Sequence, residues 1–181
     1  MNLNIVNALA FLIDAIFGIY ILLVMLRFLI HLLRVGFRDA PSQFLLAVTN
    51  PPLKILYQFI PGWRSVDFAA IVLMFALQIF KFMLTFWLFG KHLAILQLFL
   101  IATISLLSLL FKVFFISIIL EAILSWITPP DSYNPLNSFL YRFNEPILRP
   151  VRRQIPLVSG VDLSPLIVTL LLWTLIILLG W

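Results

Sequence analysis

Cysteine is missing from this chain of 181 residues, which excludes disulfides, thiolate metal sites and a cysteine nucleophile. Charge is nearly as scarce. Asp, Glu, Lys and Arg together make up 10% of the residues, where a soluble domain carries about a quarter. Only six glycines occur. No Gly-rich phosphate loop, Ser/His/Asp arrangement or HExxH pattern can be found, so the sequence offers catalysis no foothold and points away from an enzyme. The 12 Lys and Arg residues are too few to build a soluble basic face that tracks a phosphate backbone, which excludes nucleic acid as a partner.

What is abundant is apolar. Hydrophobic residues reach 64% and mean hydropathy is +1.16, so a water-soluble fold is excluded. In lipid every backbone polar group must bond internally, which leaves helices or a closed barrel. Long apolar runs without strict alternation choose helices. The runs extend from about Ile5 to Leu33, Phe68 to Phe89, Leu93 to Ile127 and Ser164 to Trp181. A bilayer core of ~30 Å needs about 20 helical residues, so the second and fourth are ordinary spans and the first and third are overlong. Nothing between Leu93 and Ile127 is Gly or Pro, and a hairpin has no turn chemistry there. We expect four spans, the first and third tilted or protruding. Met1-Asn2-Leu3-Asn4 carries no basic region and the run beyond it is long, so the first run reads as a retained span, not a cleaved leader.

Between the runs the sequence is written twice. Phe44, Pro51, Ile60, Pro61, Val66 and Asp67 recur at one constant offset as Phe139, Pro146, Ile155, Pro156, Val161 and Asp162. The unit is span, proline-punctuated basic loop, span, and the chain is two such units in tandem, residues 1–90 and 91–181. Arg34, Arg38, Lys54 and Arg64 lie in the first loop, and Arg142, Arg149, Arg152 and Arg153 in the second. Lys91 and His92 are all that faces them from the other side. By the positive-inside rule, loops 34–67 and 128–162 face the cytoplasm and both termini lie outside. The expected class is an all-α polytopic membrane protein whose two repeats lie parallel about an axis along the membrane normal.

Each loop also carries an amphipathic segment, with Phe44, Leu45 and Val48, or Phe139, Leu140 and Phe143, on one face. Each should stop at its proline, Pro51 or Pro146, and lie in the headgroup plane with its aromatic face down. Asp67 and Asp162 should cap the helices that follow, and Ser164-Pro165 reads as an N-cap followed by proline at the first helical position. The charges inside the runs are Asp14, Arg27, Lys81, Lys112 and Glu121. At 1.5 Å per residue, Arg27 and Glu121 lie roughly 10 Å in from the loop side and the other three roughly 20 to 30 Å in. Charges at membrane depth face protein and have partners, so we expect an Arg27–Glu121 pair between the first and third spans, with Asp14 near Lys112 or Lys81. Arg149, Arg152 and Arg153, with Arg142, Lys54, Phe44 and Phe139, are the candidate contacts to lipid headgroups or to a partner membrane protein. The first copy has Tyr57 and Gln58 where the second has Arg152 and Arg153, which singles out the second loop. His31 and His92 fall near opposite membrane faces and cannot clamp one haem within a monomer. No metal site and no cofactor are expected.

Asn134-Pro135, Phe139, the run Glu145-Pro146-Ile147-Leu148-Arg149-Pro150-Val151-Arg152-Arg153-Gln154-Ile155-Pro156 and Gly160-Val161-Asp162-Leu163-Ser164-Pro165 together resemble the YggT family of small bacterial membrane proteins. Pro41 to Asp67 is similar to a weaker second repeat of that family, with Pro51-Pro52-Leu53-Lys54 in place of the arginine-bearing element. The resemblance implies a link to osmotic-stress tolerance, as in bacterial members, or to haem assembly in a cytochrome complex, as in plastid relatives. Both describe an accessory membrane protein that binds lipid headgroups and another membrane protein or a copy of itself. A small transporter or channel subunit, with Asp14, Lys112, Arg27 and Glu121 lining a path, is the alternative. A haem-handling factor would need His31 or His92 from more than one chain.

Overall fold

The computed structural model describes residues 3–35, 40–60, 66–127, 134–155 and 162–180. Arg38 and Arg64, the repeated Pro61, Pro156 and Val161, and the end of the last apolar run at Trp181 lie outside them. All regular structure among the described residues is helical: α1 (Leu3–Leu32), α2 (Ala40–Leu56), α3 (Phe68–Leu88), α4 (Ile95–Ile127), α5 (Pro135–Gln154) and α6 (Ser164–Leu178). Three helices, α1, α3 and α4, are long and apolar enough to cross a membrane. The fourth apolar run forms a helix of 15 residues, roughly 22 Å long. The third run is one unbroken helix of 33 residues, as its lack of Gly and Pro requires.

α1 packs chiefly on α3 and α4 on α6, with α2 laid against α1 and α5 against α4, and α3 joins the two groups by packing on α4. The core lies where these helices meet: Ile21, Val24 and Leu29 of α1, Leu53 of α2, Ile118 of α4 and Leu148 of α5 are almost fully enclosed. Ala69 and Ala70, buried at the start of α3, let that backbone come close to its neighbours, the usual device where lipid removes any hydrophobic gain from helix pairing. Outward-facing Phe11, Ile16, Phe80, Leu100 and Ile116 stay exposed. Helices apolar on all sides belong in hydrocarbon.

The amphipathic helices differ from expectation in two ways. They do not stop at proline: α2 runs through Pro51 and Pro52, and α5 through Pro146 and Pro150. A helical proline strands the carbonyl four residues earlier. In α2 the Val48 carbonyl stranded by Pro52 accepts a bond from the Tyr20 hydroxyl of α1 at 3.5 Å. In α5 the stranded carbonyls belong to Arg142 and Pro146, both exposed residues. Second, one face of each of these helices packs on protein. Leu45, Thr49 and Leu53 of α2 are buried, and so are Leu140, Asn144 and Leu148 of α5, the same positions in each copy at the i, i+4, i+8 spacing of one helix face. Phe143 stacks on Phe114 of α4 with ring centroids 5.3 Å apart, and Phe139 stacks on Phe143 at 6.1 Å. The equivalent Phe44 is 61% exposed.

α1 and α3 finish alike and with different residues. The Val35 N–H reaches the Ile30 carbonyl at 3.1 Å and the Lys91 N–H reaches the Phe86 carbonyl at 2.9 Å, each closing a Schellman turn over a left-handed residue. In α3 that residue is Gly90 (φ +66°), in α1 it is Arg34 (φ 54°). A left-handed non-glycine residue costs about 1 kcal/mol. Gly90→Ala should therefore lower stability by about 1 kcal/mol and Arg34→Gly raise it by a similar amount. Thermal unfolding in detergent measures both, and shifts of the same sign would refute this account.

Candidate functional site

The polar residues of the chain gather where each amphipathic helix meets its long span. In the first unit Arg27, 7% exposed on α1, donates to Thr49 Oγ1 at 2.9 Å, to Asn50 Oδ1 at 2.7 Å and to the Tyr57 hydroxyl at 3.3 Å. The Tyr57 hydroxyl donates in turn to Asp67. Partial burial first, then the hydrogen bond to Asp67 and its charge, push the Tyr57 hydroxyl up to about 12, so it remains a donor at any physiological pH. Asp67 caps α3 as expected, its Oδ1 accepting the Ala70 N–H at 3.0 Å.

The second unit repeats the arrangement with the charges exchanged. Glu121, 8% exposed on α4, accepts from Asn144 Nδ2 at 2.7 Å and faces Arg152 at 3.6 Å. Asn144 is fully enclosed, and its Oδ1 takes the Ser117 hydroxyl at 2.6 Å. Arg152 also meets Asp162 at 2.8 Å and Glu145 at 2.9 Å. Burial alone would lower the Arg152 value, but the bond to Asp162 and the charges of Asp162, Glu121 and Glu145 outweigh it and hold the guanidinium above its ordinary value. Partial burial raises Asp162, yet its bonds from the Ser164 N–H and Arg152 prevail and leave it below the usual carboxylate range.

Thr49 and Asn144, Asn50 and Glu145, Tyr57 and Arg152, and Asp67 and Asp162 are the same positions of the repeat. In both copies the residue at 57 or 152 links the charge on the span to the aspartate before the next helix. In the first the span bears the cation, in the second the anion. The expected Arg27–Glu121 pair is accordingly absent: among the described residues each is satisfied inside its own unit. Depth and sign allowed the pairing, but α2 lies against α1 and α5 against α4, whereas α1 and α4 scarcely touch. The constant offset between 49 and 144, or 57 and 152, was the signal that would have disclosed the true partners.

The other site residues fall as follows. Asp14 Oδ1 meets Lys81 Nζ at 2.7 Å, whereas Lys112 has no hydrogen bond or ion pair among the described residues. Arg152 turns inward and is not an exposed headgroup contact. Arg142, Arg149 and Arg153 are exposed, as is Lys54 on α2. Leu163 holds the N-cap place of α6 and Ser164 is its first residue, so Asp162, accepting the Ser164 N–H at 2.9 Å, does the capping assigned to Ser164. His31 lies in the last turn of α1, and His92 follows the end of α3. No three His, Asp or Glu among the described residues converge to hold a metal ion. Beside the second network a cavity of about 1050 Å³ opens between α4, α5 and α6, with Glu121, Arg152, Asp162 and Arg142 on its polar wall and Ile118 and Leu166 on its apolar one.

Arg152→Met leaves Glu121, Glu145 and Asp162 without their shared cation and should cost about 3 kcal/mol. The sign with pH follows. In the wild type, Asp162 sits below its unfolded value, so its contribution is complete above about pH 4 and drains away as pH falls through the lowered native value. In the variant, crowded carboxylates hold protons more tightly when folded than when unfolded. The variant should then gain stability relative to wild type on acidification from pH 7 to about 5. Melting profiles across that range decide the matter, and parallel profiles would exclude the network as drawn.

Comparison with known proteins agrees with this duplicated plan. The family model described as CCB3/YggT matches twice, over residues 6–88 and 100–181. An uncharacterized protein of Pseudomonas aeruginosa is 35% identical over 162 residues, covering 88% of this chain and 82% of its own length. The uncharacterized protein YggT of Escherichia coli is 30% identical over 176 residues, with 92% and 86% covered. An uncharacterized protein of Vibrio alginolyticus is 29% identical, with 89% and 87% covered. No solved structure matches. With both halves of the chain matched and relatives aligned along most of their length, this protein belongs to the CCB3/YggT family.

Proposed function

We propose that the chain is a noncatalytic accessory protein of a bacterial inner membrane. Its outward arginines bind anionic lipid headgroups beside a partner membrane protein, in support of osmotic or ion homeostasis or the assembly of a membrane complex. One observation carries this reading. Arg142, Arg149 and Arg153 are exposed on α5, and at 100° per residue they fall within one narrow stripe. Leu140, Phe143 and Leu148 are buried on the rest of that helix. A helix fastened to the span by Glu121 and Asn144 and bearing a line of cations outward suits a layer of phosphates.

The topology in this proposal has four spans, with loops 34–67 and 128–162 cytoplasmic, both termini periplasmic and the units parallel. The basic residues of the loops support it, as do the exposed Leu166, Leu170, Leu171 and Ile177 along α6. The shortness of α6 is met by local thinning of the bilayer.

Each arginine at the membrane surface contributes about 1 kcal/mol of attraction to anionic lipid. The triple variant R142Q/R149Q/R153Q should then bind phosphatidylglycerol about a hundredfold more weakly than wild type, with phosphatidylethanolamine binding and the melting temperature unchanged. Native mass spectrometry with titrated lipid reads the two affinities, and thermal unfolding in detergent reads the melting temperature. Undiminished phosphatidylglycerol binding would rule the stripe out.

A further inference from the structure

Asp14 is a charge that one copy of the chain does not fully accommodate. One carboxylate oxygen takes the Lys81 ammonium at 2.7 Å, yet 70% of the Asp14 side chain is exposed, against 10% for Lys81. Asp14 stands 13 residues before Arg27, about 20 Å along an apolar helix. In the four-span topology proposed above, Asp14 lies level with Lys81, seven residues before the end of α3, about 10 Å, so its open side faces hydrocarbon, where an ionised group costs a few kcal/mol. One turn along the same face, Gly18 has nothing within 4 Å of where a Cβ would project, and one turn the other way Phe11 is 72% exposed. α1 thus presents a carboxylate beside a gap, the form of surface on which a second helix seats a polar side chain.

Lys112 is the complementary charge. It is half-buried on α4 and without an ion pair or hydrogen bond among the described residues. Arg27 and Glu121 meet equivalent points of α2 and α5, at Thr49 and Asn144, which puts the two at a common level. Nine residues before Arg27 is Gly18, and nine before Glu121 is Lys112. Side chains on a helix lean toward its N-terminus, so a Lys112 stem beginning level with Gly18 carries its ammonium toward Asp14, one turn further. Within one chain α1 and α4 touch only slightly.

We infer that Lys112 of a second copy reaches across Gly18 to the open side of Asp14. The two copies are related by a twofold axis along the membrane normal, with α1 of each against α4 of the other. A twofold contact is reciprocal, so the dimer holds two such pairs. Exposed Ile116 on α4, one turn from Lys112, adds an apolar knob to the same face. None of this uses α5, so the proposal stands or falls apart from the headgroup stripe, and R142Q/R149Q/R153Q leaves the dimer intact.

The test measures dimerisation in lipid nanodiscs by native mass spectrometry, with two differently tagged copies. Wild type should be dimeric, and K112M and G18L should each dissociate at least tenfold more readily. The Cβ of G18L meets no neighbouring side chain or helix within 4 Å, so this variant should keep the monomer's melting temperature. D14K and K112D should each fail to self-associate, yet capture each other when co-expressed, because the mixed dimer restores both charge pairs. A monomeric wild type would overturn the proposal, as would K112M and G18L dimers of undiminished affinity. So would folded D14K and K112D copies that do not capture each other.

Discussion

A charge held at membrane depth has to be answered by another group of the protein, and the architecture follows from how Arg27 and Glu121 are answered. Each is nearly enclosed, and each is met by an amphipathic helix that supplies hydrogen-bonding groups of the opposite kind. Arg27 finds acceptors in Thr49 and Asn50; Glu121 finds a donor in Asn144 and a cation in Arg152. The network fastens α2 and α5 to their spans at fixed points. From there Tyr57 and Arg152 reach Asp67 and Asp162 and so tie in the starts of α3 and α6. Packing of Leu45, Leu53, Leu140 and Leu148 fills the remaining contact. The hydrophobic effect adds little to helix pairing in lipid, which leaves these polar contacts and close fit to decide which helix lies against which.

Much of this was legible in the amino-acid sequence. The three long apolar helices followed from length and apolar content, the unbroken α4 from the lack of Gly and Pro, and the duplication from a constant offset. Asp67 as a cap followed from its place before an apolar run. The pairing of Asp14 with a lysine on another span was one of two open choices, and Lys81 is the one the fold provides. The Arg27–Glu121 pair was misjudged for a definite reason: sequence gives depth along a helix but not position across the membrane, and uncharged partners such as Thr49 and Asn144 attract no notice in a search for opposite charges. The persistence of α2 and α5 through proline was hidden likewise. Whether a stranded carbonyl is tolerated depends on what lies beside it, and Tyr20 is 28 residues away from Val48 along the chain.

The two units show how a duplicated scaffold diverges without losing its shape. Positions 49 and 144, 57 and 152, and 67 and 162 keep their geometric duties while their chemistry changes. A phenol does in the first copy what a guanidinium does in the second, because each links a span charge to the aspartate that precedes the next helix. The change has consequences for the surface. The first unit's network contains one cation and one anion. The second collects three carboxylates around Arg152 and turns its remaining arginines, at 142, 149 and 153, outward. The cavity of about 1050 Å³ lies beside this richer network.

The exchange of charge between copies also distinguishes the matched pairings of amphipathic helix and span from the mismatched ones. The four apolar segments are alike in composition, and hydropathy alone would let either amphipathic helix settle on either long span. A wrong match is penalised at once. α2 laid on α4 would put Tyr57 where Arg152 stands and offer Glu121 no cation, and α5 laid on α1 would put Arg152 where Tyr57 stands, beside Arg27, with Glu145 at the place of Asn50 to offset it in part. Specificity of this kind is a difference between right and wrong complexes. Here the difference is written in the polarity of a single buried position on each span, Arg27 on one and Glu121 on the other, so that two alike halves favour unlike partners.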